Sequence, residues 1–559
     1  MDNEKQTLSE TPFWLNDWYV DPRSGRISRQ GAEVKLEPKV MQVLVLLATN
    51  AGEVLSRELL ESKAWDGVVV SYDSLSTTII KLRKALGDNS RNPSYIETVS
   101  KKGYRLIATV RIGDKPASES APDNKVSFSL TPLAFISMAA ILVLAVLLLN
   151  NFSGNDSTHR GGADKASLAV LPFTNRHNNP DQEYFSDGIT DDLINDLSRF
   201  SGLRVIARRS AYIYKRKKTD IQTIAKELNV NYILDGDVRR DGNMVRLNVQ
   251  LIDAATGTNI WAQRFNRQTK DIFDVQDDIR QNIFNALSIT LSKEEQKRIQ
   301  LRYTENFAAY DLFLKGQASL ITRASAVDSK KAQQFMEQAI ALDSKFSRAH
   351  AALALIHADA FRFDWSDNPA QTKASAIKIG KRAIELDKHS PQAHWIMGYV
   401  YLFLFEDHTN AIAMAEKATA LAPNDMDAFT VLAVTYAFGD APEKAKRIVE
   451  GIMQKNPRYS ALVPSVLGLS NFRLAKYEEA LAAYDKSLLI NPSRIQGNIY
   501  KAVVLYRMGN ADDAEFQLDQ LYTLHPQFDL KVWASRQPFS DKAVLQQLLK
   551  DIKIIRGDG

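Results

Sequence analysis

The chain has 559 residues, 45% of them hydrophobic and 25% charged, with a net charge of +5. That length exceeds what one core organises, so three or four domains are expected, and so ordinary a composition excludes wholesale disorder. With no cysteine, disulfides, thiolate metal sites, cysteine-ligated clusters and cysteine nucleophiles are all excluded. The opening residues, MDNEKQTLSE, contain no apolar run, so no cleavable signal peptide is read there.

Residues 1–112 form the first domain. Trp14–Val20 and Val34–Leu36 read as short strands around a turn at Arg23-Ser24-Gly25. Glu37-Pro38-Lys39 opens a helix with apolar positions Val40, Val43, Leu44 and Leu47, because proline suits a first helical turn. A second helix, from about Ser56 to Ala64, starts on a serine that can cap it. A third runs from Ser71 to Gly87, with Leu75, Ile79, Leu82 and Leu86 as one buried stripe. Ser74, Thr77, Lys81 and Lys84 fall largely on another side, where hydroxyls and lysines can meet base edges and phosphates. Tyr95–Leu106 reads as a hairpin with a basic tip. Residues 71–112 hold eight basic against three acidic residues, a local excess of five, whereas the first seventy residues are net acidic. A patch polarised in this way supplies the salt-dependent phosphate part of DNA affinity.

The stretches LEPKVMQVLVLLATNAGEVLSRELL, WDGVVVS, SLSTTIIKLRKALGD and YIETVSKKGYRL resemble the OmpR/PhoB-type winged helix of CadC/ToxR-type membrane regulators. The resemblance covers about residues 12–110 and implies a winged helix-turn-helix, an α+β fold. It makes the Ser71–Leu86 helix the recognition helix and the Lys101–Arg105 hairpin the minor-groove wing. The candidate DNA-binding residues are Ser74, Ser76, Thr77, Lys81, Arg83, Lys84, Lys101, Lys102 and Arg105.

Residues 113–125 read as a flexible linker. Residues 126–150 read as one transmembrane helix: no charge occurs from Val126 to Asn155, and a bilayer core needs about 20 apolar residues. A slight excess of basic residues before the span favours a cytoplasmic N-terminus. A second linker, 151–165, follows.

Residues 166–290 alternate strand-like runs with amphipathic helices and read as an α/β sandwich. LAVLPF, YFSDGITDDLINDLSR and LIDAATGTNIWAQRF within it resemble the domain related to the N-terminal part of TolB, which implies a binding or structural module. Asp187, Asp191 and Asp192 could be metal ligands, but Asp191 and Asp192 are read as acids of a first helical turn, starting at Asp191, where the helix dipole favours them. No Gly-rich phosphate loop, zinc motif or nucleophile elbow occurs, so no catalytic residue, cofactor or metal is expected.

Residues 306–527 carry a repeat: Pro423, Pro457, Pro492 and Pro526 are spaced by 34, 35 and 34 residues. Gly468, Ala480, Tyr484 and Pro492 fall on the small, small, aromatic and proline positions of the tetratricopeptide pattern, so an all-α solenoid of five or six units is expected. Its groove would take a protein or peptide. Residues 528–559 are read as a C-terminal tail, and all eight histidines lie beyond the apolar span.

Together these readings describe a multidomain, non-enzymatic transcription regulator in a bacterial inner membrane, single-pass, with a cytoplasmic N-terminus and a periplasmic C-terminus. Its expected partners are double-stranded promoter DNA, the membrane, RNA polymerase (by the family resemblance) and a second copy of itself when active. The alternative is an envelope scaffold with a non-functional winged helix.

Overall fold

The computed structural model describes residues 11–64, 73–88, 93–99, 103–112, 165–176, 180–215, 217, 219–293, 295–296, 302–322 and 325–557. They fall into two compact units, divided between Asp164 and Lys165. The segment read as a transmembrane helix lies outside the described residues. Among those described, no helix is long and apolar enough to cross a membrane.

In the first unit, β1 (Phe13–Leu15), β2 (Trp18–Asp21), β3 (Arg26–Arg29) and β4 (Ala32–Lys35) form an antiparallel sheet. β8 (Val110–Ile112) closes it alongside β1. The Trp14–Val20 run is two strands rather than one. Asn16 takes a left-handed backbone, φ 52°, a conformation asparagine tolerates better than most residues, and the chain reverses there. α1 (Pro38–Thr49), α2 (Arg57–Ala64) and α3 (Asp73–Leu86) follow, with β5 (Val54–Leu55), β6 (Ile96–Val99) and β7 (Gly103–Leu106) in a second small sheet. Ser56 caps α2 by accepting the Leu59 N–H at 3.2 Å. Phe13, Leu15, Val20 and Ile27 from the sheet meet Val43, Leu44 and Leu47 of α1 and Leu75, Ile79, Leu82 and Leu86 of α3 in one core. Each such side chain contributes about 1.5–3 kcal/mol when removed from water. Gly103 holds φ 135°, and a Cβ there would sit 1.9 Å from the Leu55 carbonyl oxygen; only glycine lets β7 lie against β5.

In the second unit the sheet order is β11-β9-β12-β13-β14, from β9 (Ala166–Val170), β11 (Leu203–Val205), β12 (Tyr232–Asp241), β13 (Met244–Asp253) and β14 (Asn259–Gln268). A short β10 (Thr174–Asn175) pairs with β12. Alternate residues of β9 feed two cores. Leu168 and Val170 meet α4 (Glu183–Leu197) and α7 (Ile272–Ala286) on one face. Ala169 meets Ile224 and Leu228 of α6 (Ile221–Leu228) on the other. A short α5 (Arg208–Tyr212) follows β11.

Six helical hairpins come next: α8 (Phe307–Thr322) with α9 (Ala326–Leu342), α10 (Ser347–Arg362) with α11 (Pro369–Leu386), and α12 (Pro391–Phe405) with α13 (His408–Leu421). They continue with α14 (Met426–Phe438) and α15 (Pro442–Lys455), α16 (Leu462–Arg473) and α17 (Tyr477–Ile490), and α18 (Ile495–Arg507) and α19 (Ala511–Leu524). This is a tetratricopeptide-like solenoid. The small residues act as the spacing requires: a Cβ on Gly468 would meet the Tyr484 ring at 2.7 Å. The segment read as a tail is folded instead. Its helices α20 (Leu530–Ser535) and α21 (Lys542–Ile555) bury Trp533, Leu548 and Ile552 in the core of the repeats.

Sheet and solenoid form one unit. Tyr310, Phe313 and Met336 of the first hairpin share a core with Leu168 and Phe185. Asn424, in the loop before α14, donates to the carbonyls of Phe200 and Leu203 at 3.0 and 2.7 Å. The Asn456 side chain accepts the Ala207 N–H at 3.1 Å. The sheet module is thus fastened along the loop edge of the repeats by loops two and three hairpins further on.

Burial holds the imidazoles of His350, His357 and His394 below their ordinary value near 6.5. As pH falls, the unfolded chain therefore takes up protons before the folded one, so this part of the stability is present above about pH 6.5 and is lost below it. Replacing the three with glutamine should reduce the drop in melting temperature between neutral pH and pH about 5. An unchanged drop in differential scanning calorimetry would contradict this.

Candidate nucleic-acid interface

α3 is stopped by Gly87 at φ 67° and capped by the Trp18 indole, which donates to the Leu86 carbonyl at 3.2 Å. The Arg29 guanidinium lies 4.7 Å over the Trp18 ring. With the Leu75–Ile79–Leu82–Leu86 stripe buried, Lys81 and Lys84 are exposed on the helix. Lys81 Nζ is held by Glu37 at 2.7 and 2.9 Å. Nothing in the sequence signals that pair, because the partners are 44 residues apart. Engaging a phosphate would require Lys81 to exchange this exposed, weakly bound partner.

Arg83 departs from the expectation. Only 6% of it is exposed, and its Nη2 donates to the Ile96 carbonyl at 2.7 Å and to Thr98 Oγ1 at 2.9 Å. Burial lowers its pKa, and the nearby Asp88 carboxylate partly restores it. Asp88 itself accepts the N–H groups of Ser94, Tyr95 and Ile96 at 2.6, 3.1 and 2.9 Å. Arg83 therefore ties α3 to β6 and faces inward. A residue next to an exposed lysine on a helix can face inward, because adjacent positions are about 100° apart.

Arg105 stands opposite Glu97 in the β6–β7 register and is hydrogen-bonded to it, with over a third of each side chain exposed. The wing tip with Lys101 and Lys102 lies outside the described residues, as do the side chains of Ser74, Ser76 and Thr77. In the N-terminal sheet, Arg26 pairs with Glu33 and Arg29 with Asp17 across the strands.

Residues 31–106 match the family model described as transcriptional regulatory protein, C terminal. This unit is a winged-helix DNA-binding domain. Residues 164–282 match the model of the HilA/YgeH-like transcriptional regulator second domain, the module likened above to the N-terminal part of TolB. The chain is 39% identical over 233 residues to a Rhizobium meliloti protein named "Putative adenylate cyclase 3", a match covering 42% of the chain and 40% of that protein. It is 23% identical over 394 residues to the transcriptional activator CadC of Escherichia coli, covering 61% of the chain and 73% of CadC. It is 22% identical over 528 residues to the transcriptional regulator HilA of Salmonella typhimurium, covering 93% of the chain and 78% of HilA. Its homologues thus include transcriptional regulators with a DNA-binding domain. The chain spans two fifths of the cyclase-named relative, whose named activity stays with that protein.

The acidic trio of the middle module is a set of ion pairs. α4 begins at Glu183, so Asp191 and Asp192 lie in its middle and cap nothing, contrary to the sequence reading. Asp187 is bound by Lys215 at 2.5 Å, and Asp191 by Arg208 and Tyr212. Asp192, 1% exposed, accepts from Arg348 Nη1 at 2.7 Å and from the Tyr310 hydroxyl at 2.5 Å.

Proposed function

We propose that this protein is a sequence-specific transcriptional regulator anchored in the inner membrane. Its N-terminal winged helix binds promoter DNA, and the part beyond the span receives a signal. The observation that supports the DNA-binding reading is the exposed basic face of the first unit: Lys81 and Lys84 stand exposed on α3 over a fully buried stripe, and Arg105, over a third exposed, stands on the hairpin. The membrane anchor rests on the charge-free stretch from Val126 to Asn155. In this reading Ser74, Ser76, Thr77 and the wing lysines Lys101 and Lys102 complete the DNA contacts, while Arg83 positions the helix. Two copies would bind a repeated promoter site and engage RNA polymerase.

The test is a genome-wide map of DNA crosslinked to the full chain, against a Lys81→Ala/Lys84→Ala/Arg105→Ala variant. Sharp promoter peaks lost in the variant are expected. On purified protein, each lost phosphate contact should reduce the slope of log affinity against log salt by about 1. Absence of peaks for the intact parent would favour an envelope scaffold with a silent winged helix. Release from membranes by carbonate without detergent would remove the anchor.

A further inference from the structure

The repeats hold a cavity of about 110 Å³ between α10, α12, α14, α16 and α18. Its wall is largely apolar and aromatic, with Trp395, Tyr399, Phe403 and Phe438. A cavity of roughly 150 Å³ takes a benzene ring, so this space, open on one side, suits a ligand of similar size rather than a folded partner.

The polar groups in this wall are unbalanced. Arg362 is satisfied: it lies 3.8 Å over the Phe403 ring and donates to the Tyr399 hydroxyl, which donates in turn to Asp359. Arg494, half-buried, has no acid partner among the described residues, and its Nε is shut off from solvent without an acceptor. The Tyr500 hydroxyl, on a residue only 2% exposed, likewise has no partner. Tyr500 is held rigidly by stacking on Tyr484, ring centroids 5.8 Å apart and planes 5° from parallel. Among the described residues that line the wall, the carboxylate is Asp427, which is exposed. Burial and the second guanidinium of Arg362 pull the Arg494 pKa down to about 10, so its charge is retained at neutral pH without a counter-ion. A partly buried cation without an anion is unfavourable, and two buried donors without acceptors ask for an acceptor.

We propose that this cavity binds a small carboxylate with an apolar body, of the phenylacetate or branched-chain acid class. The carboxylate sits on Arg494 and Tyr500, and the apolar part lies against Trp395, Phe403 and Phe438. This deepens the reading of the second unit as the signal-receiving part, but binding is measured without DNA, so either can fail alone.

The experiment is isothermal titration of the full chain with phenylacetate, isovalerate and the uncharged phenylacetamide. Both acids should bind, and the amide about tenfold or more weaker, because it lacks the charge-assisted bond. Arg494→Met should abolish binding of the acids and raise the melting temperature of the unliganded protein, since it removes an uncompensated cation; a variant that melts higher has not failed to fold. Arg494→Lys should bind with intermediate affinity. Equal binding of acid and amide, unchanged binding by Arg494→Met, or no binding of either acid at millimolar concentration overturns the proposal. Arg494-dependent binding of an acidic peptide without the free acids would also overturn it, in favour of a peptide groove.

Discussion

Replacing Asp192 with alanine should destabilise the second unit by about 3–5 kcal/mol, because it strands Arg348 as an unpaired cation inside the protein. Arg348 is 5% exposed, packed 4.3 Å from the Tyr303 ring and 4.8 Å from Phe313, with Asp192 as the acid that binds it. The Tyr310 hydroxyl would lose its acceptor at the same time, and the Gln276 amide would keep only the Tyr310 oxygen. Whole domains are stable by about 5–15 kcal/mol, so the loss is a large share of the total. Asp191→Ala on the same helix should have a smaller effect, since its pair with Arg208 is about a quarter exposed on each side. Urea unfolding followed by far-ultraviolet circular dichroism measures both. A shift under about 1 kcal/mol for Asp192→Ala would refute the account.

The second large effect separates two basic residues that lie two positions apart on α3. Arg83→Ala should destabilise the first unit by about 3–5 kcal/mol, since it leaves the Asp88 carboxylate buried without its cation and frees the start of β6. Asp88 has no exposed side-chain surface, and the Arg83 Nε lies 3.8 Å from it. DNA binding should fall with folding and recover on cooling. Lys81→Ala should reduce DNA binding at an unchanged melting temperature, because it removes only an exposed pair. If Arg83→Ala melts like the parent yet fails to bind DNA, Arg83 is a DNA contact after all.

Elements whose identity follows from local spacing were legible in the sequence. The α3 stripe, the serine cap of α2, the glycine stop at Gly87 and the Gly468–Tyr484 contact all depend on residues on one helix or on a fixed repeat. What was hidden depends on partners distant in sequence. Asp192 looks like a first-turn acid until Arg348, 156 residues later, is brought beside it. Arg83 looks like one more basic residue until β6 supplies the carbonyl of Ile96. The same holds for Arg494 and Tyr500: each is unremarkable in its own helix, and only stacking of successive hairpins makes them walls of one cavity. The C-terminal helices were missed for a related reason. Their apolar residues, such as Trp533 and Leu548, are too few for a core of their own and gain one only by closing the last hairpin.

The point at which the second unit receives the rest of the chain has a mechanical meaning. β9 begins one residue after the unit starts and lies inside the sheet, in parallel register with β11 on one side and β12 on the other. A pull transmitted through the preceding residues loads both ladders lengthwise, so their hydrogen bonds share the force instead of opening one after another from an edge. Such an attachment resists tension well.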